Sequence, residues 1–460
     1  MGGLEARPCI MSRPTVAIVG RPNVGKSTLF NRLIGGRSAI VSDQAGTTRD
    51  RHFGDGEWNG RRFWLIDTGG LVPDSSQSMD KAIRKQVEAA LEQADLVVFV
   101  VDGREGLDPV DQAIAERLRR SRRAVIVAVN KLDNLPNDAA LADFYQLGLG
   151  TPIGVSAAVG KQSGDLLDAM VAAFPEPSPS EDADAIHVAI VGRPNVGKSS
   201  LANRMLGEER YVVSPEAGTT RDAVDTPLRY NDRTLVFIDT AGLRRKSKID
   251  DDVEFYSSIR TQQAIERADV CVLVVDAALG MHIQDLRIAT EAWDRGAGLI
   301  VAVNKWDLIE EKDSNTAARG QESLIEKAPF LQYVPFVYVS ALTGLRARKI
   351  FDLIMEVADG RQVRIKTAEV NKVLGELVQR QMPPQHAGDE VKLLYASQVG
   401  TAPPTIAIVS NRPDEIPESY QRYLTHGFRA AWSFAGSPLR LKFTARGAST
   451  HAKARGDGRR

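Results

Sequence analysis

One thirteen-residue block occurs twice in this chain, as VAIVGRPNVGKST at residues 16–28 and as VAIVGRPNVGKSS at residues 188–200, an offset of 172. The same offset relates AGTTRD at 45–50 to AGTTRD at 217–222, and IDTGGL at 66–71 to IDTAGL at 238–243. It widens to 174 between VAVNKLD at 127–133 and VAVNKWD at 301–307, and to 184 between VSAA at 155–158 and VSAL at 339–342. Solenoid repeats recur every 20–50 residues or so. Blocks this far apart, in one order and with insertions only between them, mean instead that a whole domain is duplicated. Any fold for the chain must contain the same unit twice.

Each copy alternates short apolar runs, TVAIVG, FWLID, LVVFVVD and AVIVAVN in the first, with helix-period stretches such as KAIRKQVEAALEQAD. Strands that are apolar on both faces and separated by helices predict an α/β fold, a mostly parallel sheet with helices on both sides. A ligand is then expected at the C-terminal edge of the strands. The segment PEPSPSEDADA at 175–185 has no apolar period and reads as an extended linker. The expected organisation is a first domain over 12–174, an acidic Pro/Ser linker over 175–186, a second domain over 187–360, a small α+β domain over 361–445 and a basic tail over 446–460. In the third domain the pattern predicts a helix over 367–382, strands at VKLLYAS and TIAIVSN, a helix at PESYQRYLTHGFRAAW and a strand at PLRLKF.

Composition narrows the setting. Hydrophobic residues at 43% and charged ones at 26% fit a globular chain. No apolar run reaches the roughly 18 residues of a bilayer span, and the N-terminus lacks a secretory apolar core, so a cytoplasmic protein with no membrane partner is expected. Only Cys9 and Cys271 occur, which argues against a disulfide framework or a thiolate metal site. The formal charge is zero over 460 residues, yet residues 361–460 carry 16 Lys and Arg against 8 Asp and Glu, leaving 43 against 51 in the first 360. A basic C-terminal block on an acidic body points to a polyanionic partner.

The chemistry lies in the repeated blocks. Gly20-Arg21-Pro22-Asn23-Val24-Gly25-Lys26-Ser27-Thr28 and Gly192-Arg193-Pro194-Asn195-Val196-Gly197-Lys198-Ser199-Ser200 fit the phosphate-loop pattern between a strand and a helix. Backbone N–H groups there converge on phosphates, Lys26 and Lys198 neutralise the β and γ groups, and Ser27 and Ser199 offer hydroxyls to Mg²⁺. Asp67 and Asp239 end apolar runs, where a carboxylate can hold the metal. In Asp67-Thr68-Gly69-Gly70-Leu71 and Asp239-Thr240-Ala241-Gly242-Leu243, Gly70 and Gly242 offer an N–H to the γ-phosphate. Thr48 and Thr220 in the polar AGTTRD loops are the expected further metal ligands and γ-phosphate sensors, with the adjacent Thr47 and Thr219 as rivals. Asn130-Lys131-Leu132-Asp133 and Asn304-Lys305-Trp306-Asp307 place a carboxylate that accepts from guanine N1–H and the 2-amino group, which adenine cannot match. GTP is therefore the expected substrate. Ser156-Ala157 and Ser340-Ala341 are expected to close the guanine pocket with a backbone N–H near O6. Leu71 and Leu243 stand where small signalling GTPases carry a water-orienting Gln, so unassisted turnover on the order of 10⁻⁴ s⁻¹ is expected.

Taken together, GRPNVGKS, TTRD, DTGG or DTAG, NKLD or NKWD and SA, doubled and followed by a small C-terminal domain, closely resemble the Der (EngA) family of bacterial ribosome-assembly GTPases, from about Pro14 to Phe443. The resemblance implies two tandem P-loop GTPase domains followed by a KH-like domain, and a role in maturing the large (50S) ribosomal subunit with its rRNA as partner. It also implies a K⁺ ion bound by Asn23 and Asn195. No G-x-x-G occurs between 361 and 445, so the loop with which ordinary KH domains clamp a nucleic-acid backbone is missing, as the family pattern has it. Arg412, Arg422, Arg429, Arg440 and Lys442 are candidate phosphate contacts. The chain is expected to act as a monomer. The competing readings are a nucleotide-sensing scaffold that binds GTP without hydrolysing it, and a membrane or tRNA-modification GTPase.

Overall fold

The computed structural model describes residues 13–35, 53–68, 87–88, 91, 94–121, 123–133, 141–175, 185–207, 225–240, 252–309, 321, 325–384 and 390–445. The chain divides into two compact units, Met1–Pro179 and Ser180–Arg460.

The first unit runs β1 (Thr15–Val19), α1 (Lys26–Ile34), β2 (Phe53–Trp58), β3 (Arg61–Asp67), β4 (Leu96–Asp102), α2 (Pro109–Arg120), β5 (Ala124–Asn130), β6 (Ile153–Gly154) and α3 (Ser163–Ala173). Its sheet has the order β2-β3-β1-β4-β5-β6, parallel except for the antiparallel hairpin of β2 and β3. The continuous apolar runs explain why both faces are covered. Val16, Ile18, Val98 and Val100 meet Leu29 and Leu33 of α1 and Leu166 and Met170 of α3. Their neighbours Ala17, Val19, Val97 and Phe99 point the other way, onto Ile114, Ala115 and Leu118 of α2. Each fully buried Val, Leu or Phe stabilises this arrangement by about 1.5–3 kcal/mol.

The second unit opens with the same design: β7 (Ile186–Val191), α4 (Lys198–Leu206), β8 (Thr226–Tyr230), β9 (Arg233–Phe237), α5 (Asp252–Arg267), β10 (Val270–Asp276), α6 (Ile283–Arg295), β11 (Gly298–Asn304), β12 (Phe336–Tyr338) and α7 (Ala347–Gln362). Its sheet order, β8-β9-β7-β10-β11-β12, repeats that of the first. Cys271 is fully buried within β10, and burial pushes its thiol up to about 12, so it is inert core.

A third layer follows in the same unit: α8 (Thr367–Arg380), β13 (Leu393–Gly400), β14 (Thr405–Ser410), α9 (Glu418–Ala431) and β15 (Arg440–Ala445). The sheet is β13-β14-β15, antiparallel then parallel. Val370, Leu374 and Leu377 of α8 and Tyr420, Leu424 and Phe428 of α9 recur at helical spacing and cover Ala396, Ile406 and Ile408.

This small domain is joined tightly to the second nucleotide domain, and the join corrects part of the expected phosphate-binding surface. Arg361, 6% exposed at the end of α7, donates to Asp269 O and, at 3.1 Å, to Gly296 O within the nucleotide domain, and its own carbonyl accepts from Ala402 N–H of the small domain at 2.8 Å. Gly436 donates to Tyr333 O at 2.8 Å and accepts from Leu299 N–H at 2.7 Å. Its φ is +65°, and a Cβ there would lie 2.5 Å from Val357 Cγ2, so only glycine permits the approach. Arg429 is 6% exposed, bonds to the carbonyls of Ser433, Phe434 and Ser437, and lies 4.1 Å from the Tyr333 ring centroid. It is therefore an interface residue rather than a phosphate contact. Arg440 donates to Asp294 O at 2.6 Å, and Arg412 grips both oxygens of Glu415 at 3.1 and 3.0 Å. Arg422 and Lys442 are exposed, and so is Arg440 despite that bond.

Candidate nucleotide-binding sites

Both phosphate loops end at a helix N-terminus without a side-chain cap. Gly25 and Gly197 precede α1 and α4 in the left-handed region, at φ 93° and 95°, with no side-chain cap and no acidic residue in the first turn. Asp108 and His282 form capping boxes at the starts of α2 and α6, whereas α3, α7, α8 and α9 start without a side-chain cap, as α1 and α4 do. What sets α1 and α4 apart is that their uncapped N–H groups and the positive end of the helix dipole meet a glycine-rich loop carrying a lysine, the arrangement that binds an anion. A Cβ on Gly25 or Gly197 would stand 2.3 Å from the amide nitrogen of Asn130 or Asn304, which is why those positions are glycine. Val24 and Val196 are buried, whereas Pro22, Asn23, Ser27 and Thr28, with Pro194, Asn195, Ser199 and Ser200, are exposed. Asn23 and Asn195 take φ of 65° and 64°.

Lys26 Nζ donates to Gly20 O at 2.9 Å and Arg21 O at 2.8 Å, and Lys198 Nζ donates to Gly192 O and Arg193 O, both at 2.7 Å. Burial lowers both ammonium pKa values to about 8, against the opposing pull of Asp67 on Lys26 and of Asp285 on Lys198. Between that value and their ordinary range the unfolded chain holds protons that the folded, nucleotide-free chain does not, so nucleotide-free stability rises with pH there. A bound triphosphate favours the ammonium. Nucleotide affinity is therefore expected to be flat below pH about 8 and to fall above it by up to about tenfold per pH unit at each site. Titrating a GTP analogue from neutral to alkaline pH checks this, and a flat profile would contradict it.

The second element of each site is held to the first by one asparagine. Asn130 donates from Nδ2 to Val24 O at 2.8 Å and accepts from Ala157 N–H at 3.0 Å. Asn304 repeats both bonds, to Val196 O at 2.9 Å and from Ala341 N–H at 2.9 Å. In this structure those alanine amides brace the asparagines, so the N–H expected near guanine O6 is engaged with the protein. Lys131 and Lys305 adopt φ of 69° and 61° and pair with Asp102 at 2.5 Å and Asp276 at 2.6 Å. Burial alone would raise these two carboxyls, but the lysines and neighbouring backbone N–H groups outweigh it and hold them below the usual carboxylate range. Lys305 Nζ also donates to Asn195 O at 2.9 Å, which ties the guanine motif to the phosphate loop. Ser156 donates to Asp133 Oδ1 at 2.8 Å, and Ser340 is fully buried. Leu132 is half-buried, and Trp306 packs on Tyr338 with ring centroids 4.5 Å apart.

The two metal-side aspartates differ. Asp67 is fully buried at the end of β3, in register with Ile18 of β1, and so reaches the strand that feeds the phosphate loop. Thr68 donates to Ile18 O at 2.5 Å. Asp239 does not end its strand as expected: β9 stops at Phe237, and Asp239 takes a left-handed φ of 54°. The cause is Asp225, whose Oδ1 accepts the Asp239 N–H at 3.0 Å while its other oxygen pairs with Arg267. Thr240 shares a 2.7 Å hydroxyl contact with Thr226. Thr47, Thr48, Gly69, Gly70, Leu71, Thr219, Thr220, Ala241, Gly242 and Leu243 lie outside the described residues. In the first site Asp67 acts on the buried Lys26 and Ser27 adjoins it, a hard-oxygen donor set suited to Mg²⁺, whereas the carboxylate that acts on Lys198 is Asp285. Among the described residues no cluster of three or more His, Cys, Asp or Glu could hold a metal without the nucleotide.

One pair of contacts present in both copies is not among the motif residues. Arg21 Nε donates to Asp111 at 3.2 Å, and Arg193 Nε donates to Asp285 at 2.8 Å, each acid fully buried at the start of α2 or α6. These bonds pin the residue whose carbonyl holds the lysine. The signal was in the repeat: Asp102 and Asp276, like Asp111 and Asp285, stand 174 apart, the offset of the guanine motifs.

Comparison with known proteins agrees with this geometry. Residues 15–131 and 187–305 match the family described as 50S ribosome-binding GTPase, and residues 364–444 match the KH-domain-like C-terminal region of EngA bacterial GTPase enzymes. A GTPase Der of Gemmatimonas aurantiaca is 56% identical over 431 residues, covering 94% of this chain and 98% of that one. GTPase Der of Caldanaerobacter subterraneus is 48% identical over 438 residues, 95% and 100% of the two chains, and that of Moorella thermoacetica 47% over 433 residues, 94% and 99%. Among solved structures, a point variant of Aquifex aeolicus Era bound to GDP and AlF4⁻ is 22% identical and covers 57% of this chain and 93% of its own, with a TM-score of 0.30. With two P-loop domains, a KH-like third domain and near full-length identity of this size, the chain belongs to the Der (EngA) family of GTPases.

Proposed function

We propose that the protein hydrolyses GTP to GDP and phosphate at both sites and serves as a nucleotide-controlled factor in assembly of the large ribosomal subunit, working as a cytoplasmic monomer. The observation that carries the GTP reading is the double asparagine strut, which holds a guanine-motif loop against a phosphate loop with the same bonds in both copies. The ribosomal reading is supported by the description of the matched family and by the basic C-terminal hundred residues. Among the described residues no helix is long and apolar enough to cross a membrane.

Lys26 and Lys198 carry charge to the β and γ phosphates, the N-termini of α1 and α4 cradle them, and Asp133 and Asp307 read the base. Ser27 with Asp67, and Ser199 with Asp239, would hold Mg²⁺ together with Thr48 and Thr220. Gly70 and Gly242 present backbone N–H groups to the γ-phosphate. When bound, Mg²⁺ supplies charge neutralisation between the β and γ oxygens. With Leu71 and Leu243 in place of a water-orienting side chain, transfer to water is slow, which suits an assembly timer more than a metabolic enzyme. Asn23 and Asn195, exposed on the loops, are the proposed K⁺ contacts. Hydrolysis is expected to run faster in KCl than in NaCl at equal ionic strength, with the difference lost at the corresponding site in Asn23→Ala or Asn195→Ala. Equal rates in the two salts would remove the monovalent-cation role.

Sedimentation with large ribosomal subunits tests the partner. On this reading the loops carrying Thr48 and Thr220 would respond to the γ-phosphate, so association is expected to favour a GTP analogue over GDP or no nucleotide. Equal association in all three conditions would refute nucleotide control.

A further inference from the structure

The two guanine motifs differ in what already occupies their aspartates. In the first, Ser156 donates to Asp133 Oδ1 at 2.8 Å, and the Arg104 guanidinium pairs with Asp133 Oδ2. Arg104 also donates from Nε to Lys131 O at 3.2 Å, and Lys161 Nζ donates to Asp133 O at 2.7 Å. In the second, Asp307 Oδ1 is buried and has no hydrogen-bond partner among the described residues. The repeat gives the cause. Asp102-Gly103-Arg104 corresponds to Asp276-Ala277-Ala278, and Lys161, five residues after Ser156, corresponds to Leu345, five after Ser340. Both cations that surround Asp133 are apolar residues in the other copy.

We infer that Arg104 is a latch on the first guanine pocket: in the nucleotide-free protein it occupies the carboxylate that reads the base, and it makes the first site the weaker of the two for guanine nucleotides. The inference rests on Asp133 and Asp307 being the guanine readers. Guanine brings two donors, N1–H and the 2-amino group, and both carboxylate oxygens must accept them. At Asp133 those oxygens are engaged, so the base displaces an ion pair and a hydroxyl bond. At Asp307 a buried acceptor gains its first partner, and nothing is displaced at Oδ1. The latch is weak, because its side chains are 63% and 36% exposed and the pair is solvent-screened. An exposed pair of this kind changes an equilibrium by about 1.5- to 5-fold. The latch therefore tunes the first site without closing it.

The test is titration of the full-length protein with fluorescent mant-GDP, reading the first site in a Lys198→Ala background and the second in Lys26→Ala. The first site should bind more weakly. Arg104→Ala should tighten it by about 1.5- to 5-fold, Arg104→Lys by less, and both should leave the second site unchanged. The reciprocal change, Ala278→Arg, should weaken the second site by a similar factor. Damage to the fold would weaken binding, so a gain on removing Arg104 is a readout that a structural role does not give. An unchanged or weaker first site in Arg104→Ala would overturn the latch, and would mean that the guanidinium supports the bound base. Equal binding of mant-ADP and mant-GDP at both sites would instead overturn the guanine assignment beneath it.

Discussion

Asp307→Asn should cost the second site about 10⁴-fold in preference for GTP, and should transfer that preference to xanthosine triphosphate. The expectation follows from one atom: Asp307 Oδ1 is buried without a partner among the described residues, and guanine supplies the donor that would satisfy it. An amide at this position places a donor against guanine's own donors, while xanthine, with a 2-oxo group in place of the amine, offers an acceptor. The backbone frame should survive, since Lys305 and Asn304 hold the loop through bonds that do not involve the Asp307 carboxylate. Asp133→Asn should act in the same direction at the first site. Binding stoichiometry with GTP and with xanthosine triphosphate measures both variants. A variant that still bound two GTP per chain with wild-type affinity would show that its aspartate does not read the base.

The parts legible in the sequence are those whose chemistry sits within a few residues. Gly20 to Ser27 place Lys26 against carbonyls five and six residues back, and the loop could be read from its spacing alone. The same holds for the α-β-β-α-β order of the third domain, whose apolar periods put the elements within a few residues of where they lie. Long-range struts were not legible. The bond from Asn130 to Val24 O spans 106 residues, and the Asn could be seen as part of a motif but not as the piece that joins two loops. Arg429 failed differently. A count of cations carries no direction, and this one lies about 100° round α9 from the Tyr420, Leu424 and Phe428 stripe, on a second face buried against Tyr333 and Trp293. Asp239 looked like a strand end because IDTAGL copies IDTGGL, but Asp225 draws its backbone into a turn. Identical motifs can thus have different frames.

Association with the large subunit is expected to fall by about 10³-fold or more between 50 and 200 mM salt if six or more phosphates are contacted, since each contact releases counterions. The charge asymmetry motivates this, but the structure changes which cations can take part. Of the 16 Lys and Arg in residues 361–460, Arg361, Arg412, Arg429 and Arg440 are bonded within the protein. Of the named candidates, Arg422 and Lys442 stay exposed and Arg440 is exposed despite its bond, beside the exposed Arg364, Lys366, Lys372, Arg380 and Lys392. The structure also moves the informative truncation. Arg361 lies on α7 and holds Asp269 and Gly296, so a deletion from residue 361 would damage the second nucleotide domain, whereas one from residue 364 leaves α7 whole. Deleting 364–460 should abolish subunit binding. Deleting only 446–460 should weaken it less. Because the larger deletion uncovers Tyr333 and Trp293, the double charge reversal Arg422→Glu with Lys442→Glu is the cleaner variant, and it should reduce both affinity at low salt and the steepness of the salt dependence. If the 364–460 deletion and the double reversal both bound subunits as tightly as the full chain at every salt concentration, the basic C-terminal surface would serve solubility alone. The RNA contacts would then have to lie on the two GTPase domains.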